Sequence, residues 1–243
     1  MSLKLINVGE LVSYNSESES MVIFKDIQIA IDRGKIVQIS NKVGDCDEIL
    51  DCKNKLVTPG YIDSHTHPVF LNCRQDDFSK RLLGYSYNDI SENGGGINSS
   101  IRGVRETNYK TLIDCVHNRM NRFLKLGTTT VECKTGYGLT LDSELKSLKI
   151  LDEVNLIHEI DIIPTFMGAH AIPPEYSKDK EGYIKIICDE MIPAVKKQGI
   201  AKFNDIFCEK GYFSIDQSRQ IGLVAKNYGL FNRLHADEFN DYG

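Results

Sequence analysis

Leu56-Val57-Thr58-Pro59-Gly60-Tyr61-Ile62-Asp63-Ser64-His65-Thr66-His67 is an apolar run that ends in two histidines one residue apart. Read as a strand, it alternates sides with period two, so His65 and His67 share a face and can grip one ion together. Two neutral imidazoles suit Zn²⁺ or a similar borderline metal, and a catalytic site of that kind adds a third protein ligand and keeps a position for water. His235, in Leu234-His235-Ala236-Asp237-Glu238, is the natural third ligand. The bland alternative is a pair of partly exposed strand-end histidines, and the rest of the chain decides between the two.

Upstream of this stretch the texture is that of a small β module. Ile27, Ile29 and Ile31 alternate with polar residues, a turn falls at Asp32-Arg33-Gly34-Lys35, and Val37 and Ile39 resume the alternation, which is a hairpin pattern. Downstream, short β-rich runs alternate with amphipathic helices, the pattern of a parallel sheet. One helix covers about Tyr109 to Leu126, with Leu112, Val116, Met120, Phe123 and Leu124 at helical spacing and Gly127 as its stop. The strand Thr128–Cys133 follows, then a helix from about Asp142 to Ile157 and the strand Ile160–Phe166. A helix around Ile184 to Gln198 precedes the strand Phe203–Cys208, and a last helix, about Ser214 to Tyr228, precedes Phe231–His235. Polar residues cluster at the C-terminal ends of these strands: His65 and His67, Lys134 to Tyr137, His170, and His235 with Glu238. A (β/α)₈ barrel keeps its active site there. A doubly wound open sheet would do the same but calls for a Gly-rich phosphate loop, and Gly94-Gly95-Gly96-Ile97 follows a polar stretch without Gly-Lys-Ser/Thr. It reads as a loop that bends close to something.

Composition narrows the function classes. At 243 residues and 41% hydrophobic content the chain can bury a substantial core, as one large domain or two small ones. Its net charge of -5 gives no basic field for nucleic acid, and no run approaches the roughly 20 apolar residues that cross a bilayer. With no signal-peptide pattern at the N-terminus, the expected location is cytoplasmic. The seven cysteines are scattered without a Cys-x-x-Cys pair, as reduced packing residues are. His117 and His158 fall inside helix patterns and receive no role.

Five motifs in order carry a resemblance. Pro59–His67 resembles the first-strand signature of the metal-dependent amidohydrolase superfamily. Gly94–Ile97, Val131-Glu132-Cys133-Lys134-Thr135-Gly136-Tyr137-Gly138-Leu139, Thr165-Phe166-Met167-Gly168-Ala169-His170 and His235-Ala236-Asp237-Glu238 narrow it to the imidazolonepropionase family, from about Leu56 onward. The resemblance implies an α/β fold: an incomplete TIM (β/α)₈ barrel over residues 58–243 behind a small N-terminal β-rich domain, residues 1–57. It implies one Zn²⁺ or Fe²⁺/Fe³⁺ ion per subunit on His65, His67 and His235. It also implies Arg74 as a clamp on a propionate, Tyr137, His170 and Glu238 as residues that bind an imidazolone ring, and Glu238, beside the metal, with His170 as the catalytic pair, Glu238 helping to move a proton.

The implied reaction is hydrolysis of 4-imidazolone-5-propanoate to N-formimidoyl-L-glutamate in histidine degradation. The partner is then a small molecule, neither nucleic acid nor membrane, with a homodimer left open. Without the motif context Arg74 would read as a surface cation, Tyr137 as packing and His170 as a satisfied loop histidine. A complete barrel takes about 250 residues, more than Pro59 to Gly243 supplies. The expectation is therefore a sequence that stops after the fifth strand, lacks the family's further histidine and its metal-binding aspartate, and is inactive alone. Another cyclic amidohydrolase or a deaminase of the superfamily, or a non-catalytic paralogue serving as a binding or scaffold protein, is the alternative.

Overall fold

Arg33 and Gly34 both take positive φ, 48° and 75°, the two-residue turn whose twist matches that of its flanking strands. In the computed structural model, which describes residues 1–242 except 72, 87, 88 and 91–94, this turn joins β2 (Ser20–Asp32) to β3 (Lys35–Ser40). Ile29 lies opposite Ile39 across that hairpin, as its alternation requires. β1 (Ser2–Asn15) pairs antiparallel with β2 and parallel with β4 (Glu48–Asp51) and β5 (Leu56–Val57). Val8, Leu11, Ile27 and Ile29 form the core of this sheet. The first compact unit is Met1–Gly60.

The second unit, Tyr61–Gly243, is built on a five-stranded parallel sheet. Its order is β6 (Tyr61–Thr66), β7 (Thr128–Lys134), β8 (Asp161–Ala169), β9 (Phe203–Phe207) and β10 (Phe231–His235), each strand hydrogen-bonded to the next in sequence. Parallel neighbours need crossover connections, and helices supply them. The first crossover contains α1 (Gln75–Leu82), α2 (Gly96–Glu106) and α3 (Tyr109–Lys125). Helix α3 starts on the Asn108 side chain, which accepts the Thr111 N–H, and buries Leu112, Val116 and Met120 against Val131, Ile150 and Ile162. Helix α4 (Leu141–Ile157) follows β7 and is capped by Thr140. The last helix, α7 (Ile215–Asn227), carries a reciprocal Ser214–Gln217 capping box.

Two expected elements differ. The helix expected around Ile184 to Gln198 starts four residues earlier and is divided into α5 (Lys180–Ile186), a π turn (Ile187–Met191) and α6 (Ile192–Gln198). Pro193 has no N–H to continue the ladder and crowds the preceding turn, which accounts for the wide π geometry just before it. The glycine-rich segment is not all loop. Gly96 and Ile97 open α2, while Gly94 lies outside the described residues. Gly95 does make the expected close approach: a Cβ there would stand 2.6 Å from Asp77 Oδ1 and 2.8 Å from Ile90 Cγ2. The flanking strands β6 and β10 expose apolar side chains, among them Ile62 at 74% and Phe231 at 69%.

Candidate metal centre

Parallel pairing brings the strand ends level, with Thr66 opposite Cys133, Lys134 opposite Thr165 and His235 opposite Phe207. β6 stops at Thr66, so His67 stands one residue beyond the strand on which both histidines were expected. The pairing of β6 with β7 also slips between Asp63 and Thr66. Convergence survives because Pro68 biases the residue before it toward extended backbone.

His65, His67 and His235 offer ligand atoms that all lie within 4.8 Å of one another. The Nε2 atoms of His65 and His235 are 3.2 Å apart. Two nitrogens each about 2.1 Å from a tetrahedral zinc would stand about 3.4 Å apart, so the pair has the spacing of co-ligands. The Nδ1 atoms of His67 and His235 face the protein instead. His67 Nδ1 is 3.0 Å from the Thr135 carbonyl oxygen, and His235 Nδ1 is 3.0 Å from Asp205 Oδ1. Both partners are acceptors, so Nδ1 carries the hydrogen and Nε2 keeps its lone pair for an ion. Burial lowers the pKa of His65 and takes that of His67 well below the ordinary histidine range. Metal ligation requires the neutral imidazole. The donor set fits a zinc-type ion.

A buried charge network lies behind His235. Burial by itself would raise the Asp205 carboxyl, but hydrogen bonds from His235 and Lys134 and their charges overcome it and bring the pKa to about 2. Lys134 Nζ lies 2.7 Å from both Asp205 Oδ2 and Glu132 Oε1, and Lys134 is 2% exposed. Arg233 reaches Glu132 at 3.5 Å. Such a network is costly to bury and costly to break singly.

His65, His67, Arg74, Tyr137, His170, His235 and Glu238 all line one cavity of about 620 Å³, which Arg81 also borders. Every sequence-derived site residue is therefore brought to the same place. Arg74 stands at the N-terminus of α1 and Tyr137 in the turn after β7. His170 follows β8, stacks on His67 with ring centroids 4.7 Å apart, and directs Nδ1 to the Gly136 carbonyl oxygen at 2.8 Å. Burial lowers its pKa to about 4, so its Nε2 is a neutral acceptor. Sequence reasoning missed Asp205, Lys134 as a buried ammonium, and Glu144. One signal was available: Asp205 sits beside Asn204 in a strand otherwise made of Phe203, Ile206 and Phe207, where an acidic residue needs a partner.

No family model matches the chain. Among solved structures it resembles guanine deaminase from C. acetobutylicum, with a TM-score of 0.59 and 19% identity over 98% of this chain and 54% of that one. It also resembles a variant of the atrazine chlorohydrolase of Arthrobacter aurescens complexed with zinc and atraton, with a TM-score of 0.59 and 13% identity over 96% and 52%. The likeness to these two enzymes is one of fold. Sequence relatives are more specific: an imidazolonepropionase of Geobacillus thermodenitrificans is 39% identical over 91% of this chain and 54% of its own length. One of Clostridium tetani is 47% identical over 81% and 47%. The chain is homologous to imidazolonepropionases, and it spans about half the length of the curated relatives it matches.

Proposed function

We propose that the protein hydrolyses 4-imidazolone-5-propanoate to N-formimidoyl-L-glutamate, a cytoplasmic step of histidine degradation. The five-stranded sheet then corresponds to five strands of a (β/α)₈ barrel, residues 58–243, behind a β-rich domain at 1–57. The observation that carries this is the convergence of three histidine ligand atoms with Arg74, Tyr137, His170 and Glu238 around one cavity.

His65, His67 and His235 would hold one zinc or iron ion. A cyclic amide is a weak electrophile, and the ion when bound supplies the Lewis acidity that makes water nucleophilic near neutral pH. Arg74 would pair with the propionate, a role suited to its fork of N–H donors. Tyr137 and neutral His170 would hydrogen-bond the ring and fix its carbonyl toward the histidines. Water adds to that carbonyl carbon, the ring C–N bond breaks, and the leaving nitrogen takes a proton. Glu238, on the cavity wall, would carry that proton.

The test follows substrate loss by ultraviolet absorbance with zinc-loaded protein carried to the full length of its relatives. Turnover of the imidazolone supports the reading; indifference to it combined with deamination of guanine would replace it with a deaminase.

A further inference from the structure

The turn that carries Tyr137 is held by one buried carboxylate that the reaction does not use. Glu144, in the first turn of α4, is 0% exposed. Its Oε1 accepts the Gly138 N–H at 2.9 Å and the Leu139 N–H at 2.8 Å, and its Oε2 accepts the Gly136 N–H at 3.1 Å. The Thr135 hydroxyl donates to the same carboxylate. Four donors from five consecutive residues therefore converge on one side chain.

What that turn presents on its other side is the site. The Thr135 carbonyl takes the Nδ1–H of His67, and the Gly136 carbonyl takes the Nδ1–H of His170. The Tyr137 ring packs against both imidazoles, 5.2 Å from His67 and 5.3 Å from His170. A peptide unit that donates its N–H to Glu144 has its orientation fixed, and the neighbouring carbonyls are fixed with it.

We propose that Glu144 is a positioning residue: by pinning residues 135–139 it sets the ring orientation and tautomer of His67 and His170 and the seat of Tyr137. It touches neither ion nor substrate. The turn acts as one rigid piece that keeps Nε2 of both histidines facing the cavity, and α4 is its anchor. As far as it concerns substrate, this rests on the reading of the cavity as an imidazolone site. As far as it concerns His67 and the ion, it does not.

Two variants separate this role from a purely structural one. Glu144→Gln replaces an accepting oxygen with an amide that opposes the Gly136 N–H. Glu144→Asp keeps a negative charge at the helix N-terminus, where charge alone stabilises, but withdraws it from the turn by one methylene. Long-range ¹H–¹⁵N spectra of the six histidines report each ring tautomer, and titration with Zn²⁺ reports affinity. Both variants should shift the His67 and His170 ring signals, leave His117 and His158 unmoved, and weaken zinc binding about tenfold, the lower end for a lost supporting bond. KM for the imidazolone should rise more than kcat falls. If Glu144→Gln does not fold, Glu144→Asp decides alone. Ring signals unchanged and zinc affinity within about twofold in a folded Glu144→Asp protein would overturn the proposal. Wild-type protein carried to the full length of its relatives that binds zinc but leaves the imidazolone intact would overturn the substrate reading and leave the ring spectra to judge the turn.

Discussion

His235 and Asp205 share a 3.0 Å hydrogen bond between Nδ1 and Oδ1, and the same carboxylate takes Lys134 on its other oxygen at 2.7 Å. Register makes this possible: Asp205 on β9 lies opposite Arg233 of β10, so its side chain falls two residues below His235 on the inner face. The bond fixes which histidine nitrogen faces the cavity, and the ammonium holds the carboxylate still.

Asp205→Asn should therefore weaken zinc binding by about 10–100-fold, the range found when the supporting partner of a ligating histidine is removed. Competition with a chromophoric chelator measures it. Affinity equal to wild type would show that His235 is oriented by packing alone. Some loss of stability is expected as well, because Lys134 keeps one of its two carboxylates and the buried ammonium is less well compensated.

Arg74 is the cation at the start of α1 on the cavity wall. Arg74→Lys keeps the charge but loses the planar fork, so KM for the imidazolone should rise about tenfold or more while kcat changes less. A substrate analogue with the propionate replaced by a propyl group should bind wild type and variant alike. An unchanged kcat/KM in Arg74→Lys would remove Arg74 from the substrate contact.

Much of this architecture was legible in the sequence because it repeats. The helix over Tyr109–Lys125 announces itself by Leu112, Val116 and Met120, one per turn, and the hairpin by alternation on both sides of Arg33-Gly34. The three histidines were legible because imidazoles at strand ends are chemically specific. What escaped was singular or non-local. Glu144 looks like any acidic residue in the first turn of a helix until the preceding turn is seen wrapped around it. β1 pairs with β4 and β5 across more than 40 residues, a register no local pattern encodes.

Glu209 should contribute to acid sensitivity alongside Asp205. The Glu209 carboxylate accepts the N–H groups of Phe239 and Lys210 and both the backbone and side-chain nitrogens of Asn240. The bond from Phe239 does most to hold the pKa down, at about 2, below the ordinary 4.5. A carboxyl whose folded pKa is depressed contributes stability above its unfolded value and loses it as pH falls through the folded one. The contribution is thus complete at neutral pH and fades between about pH 5 and pH 2. Glu209→Gln should be less stable than wild type at pH 7 and should converge with it in acid. Urea midpoints at a series of pH values give the comparison, and parallel curves would refute it.

Gly136 has φ of +102°, in a region that residues with a side chain rarely adopt. A Cβ there would also stand 2.9 Å from His170 Cβ, 2.9 Å from His170 Nδ1 and 2.9 Å from the Met167 carbonyl oxygen. Backbone strain of this type costs about 1–2 kcal/mol. The overlap cannot be relieved by rotating a flexible tip, because it involves the β-carbon of His170 and a strand carbonyl, so either the turn or His170 must move. Gly34 provides the control: its φ is +75°, but a Cβ there meets nothing within 4 Å. Gly34→Ala should lose stability by backbone strain alone and retain zinc binding and turnover. Gly136→Ala should lose more stability and, with His170 displaced by about 1 Å, about 10²-fold in kcat/KM. Its zinc affinity should fall only as far as the Thr135 carbonyl is carried away from His67. If both alanine variants have the same melting temperature and the same kinetics, the close fit of the turn against His170 has no functional weight, and the positions of Tyr137 and His170 are set by something other than the turn.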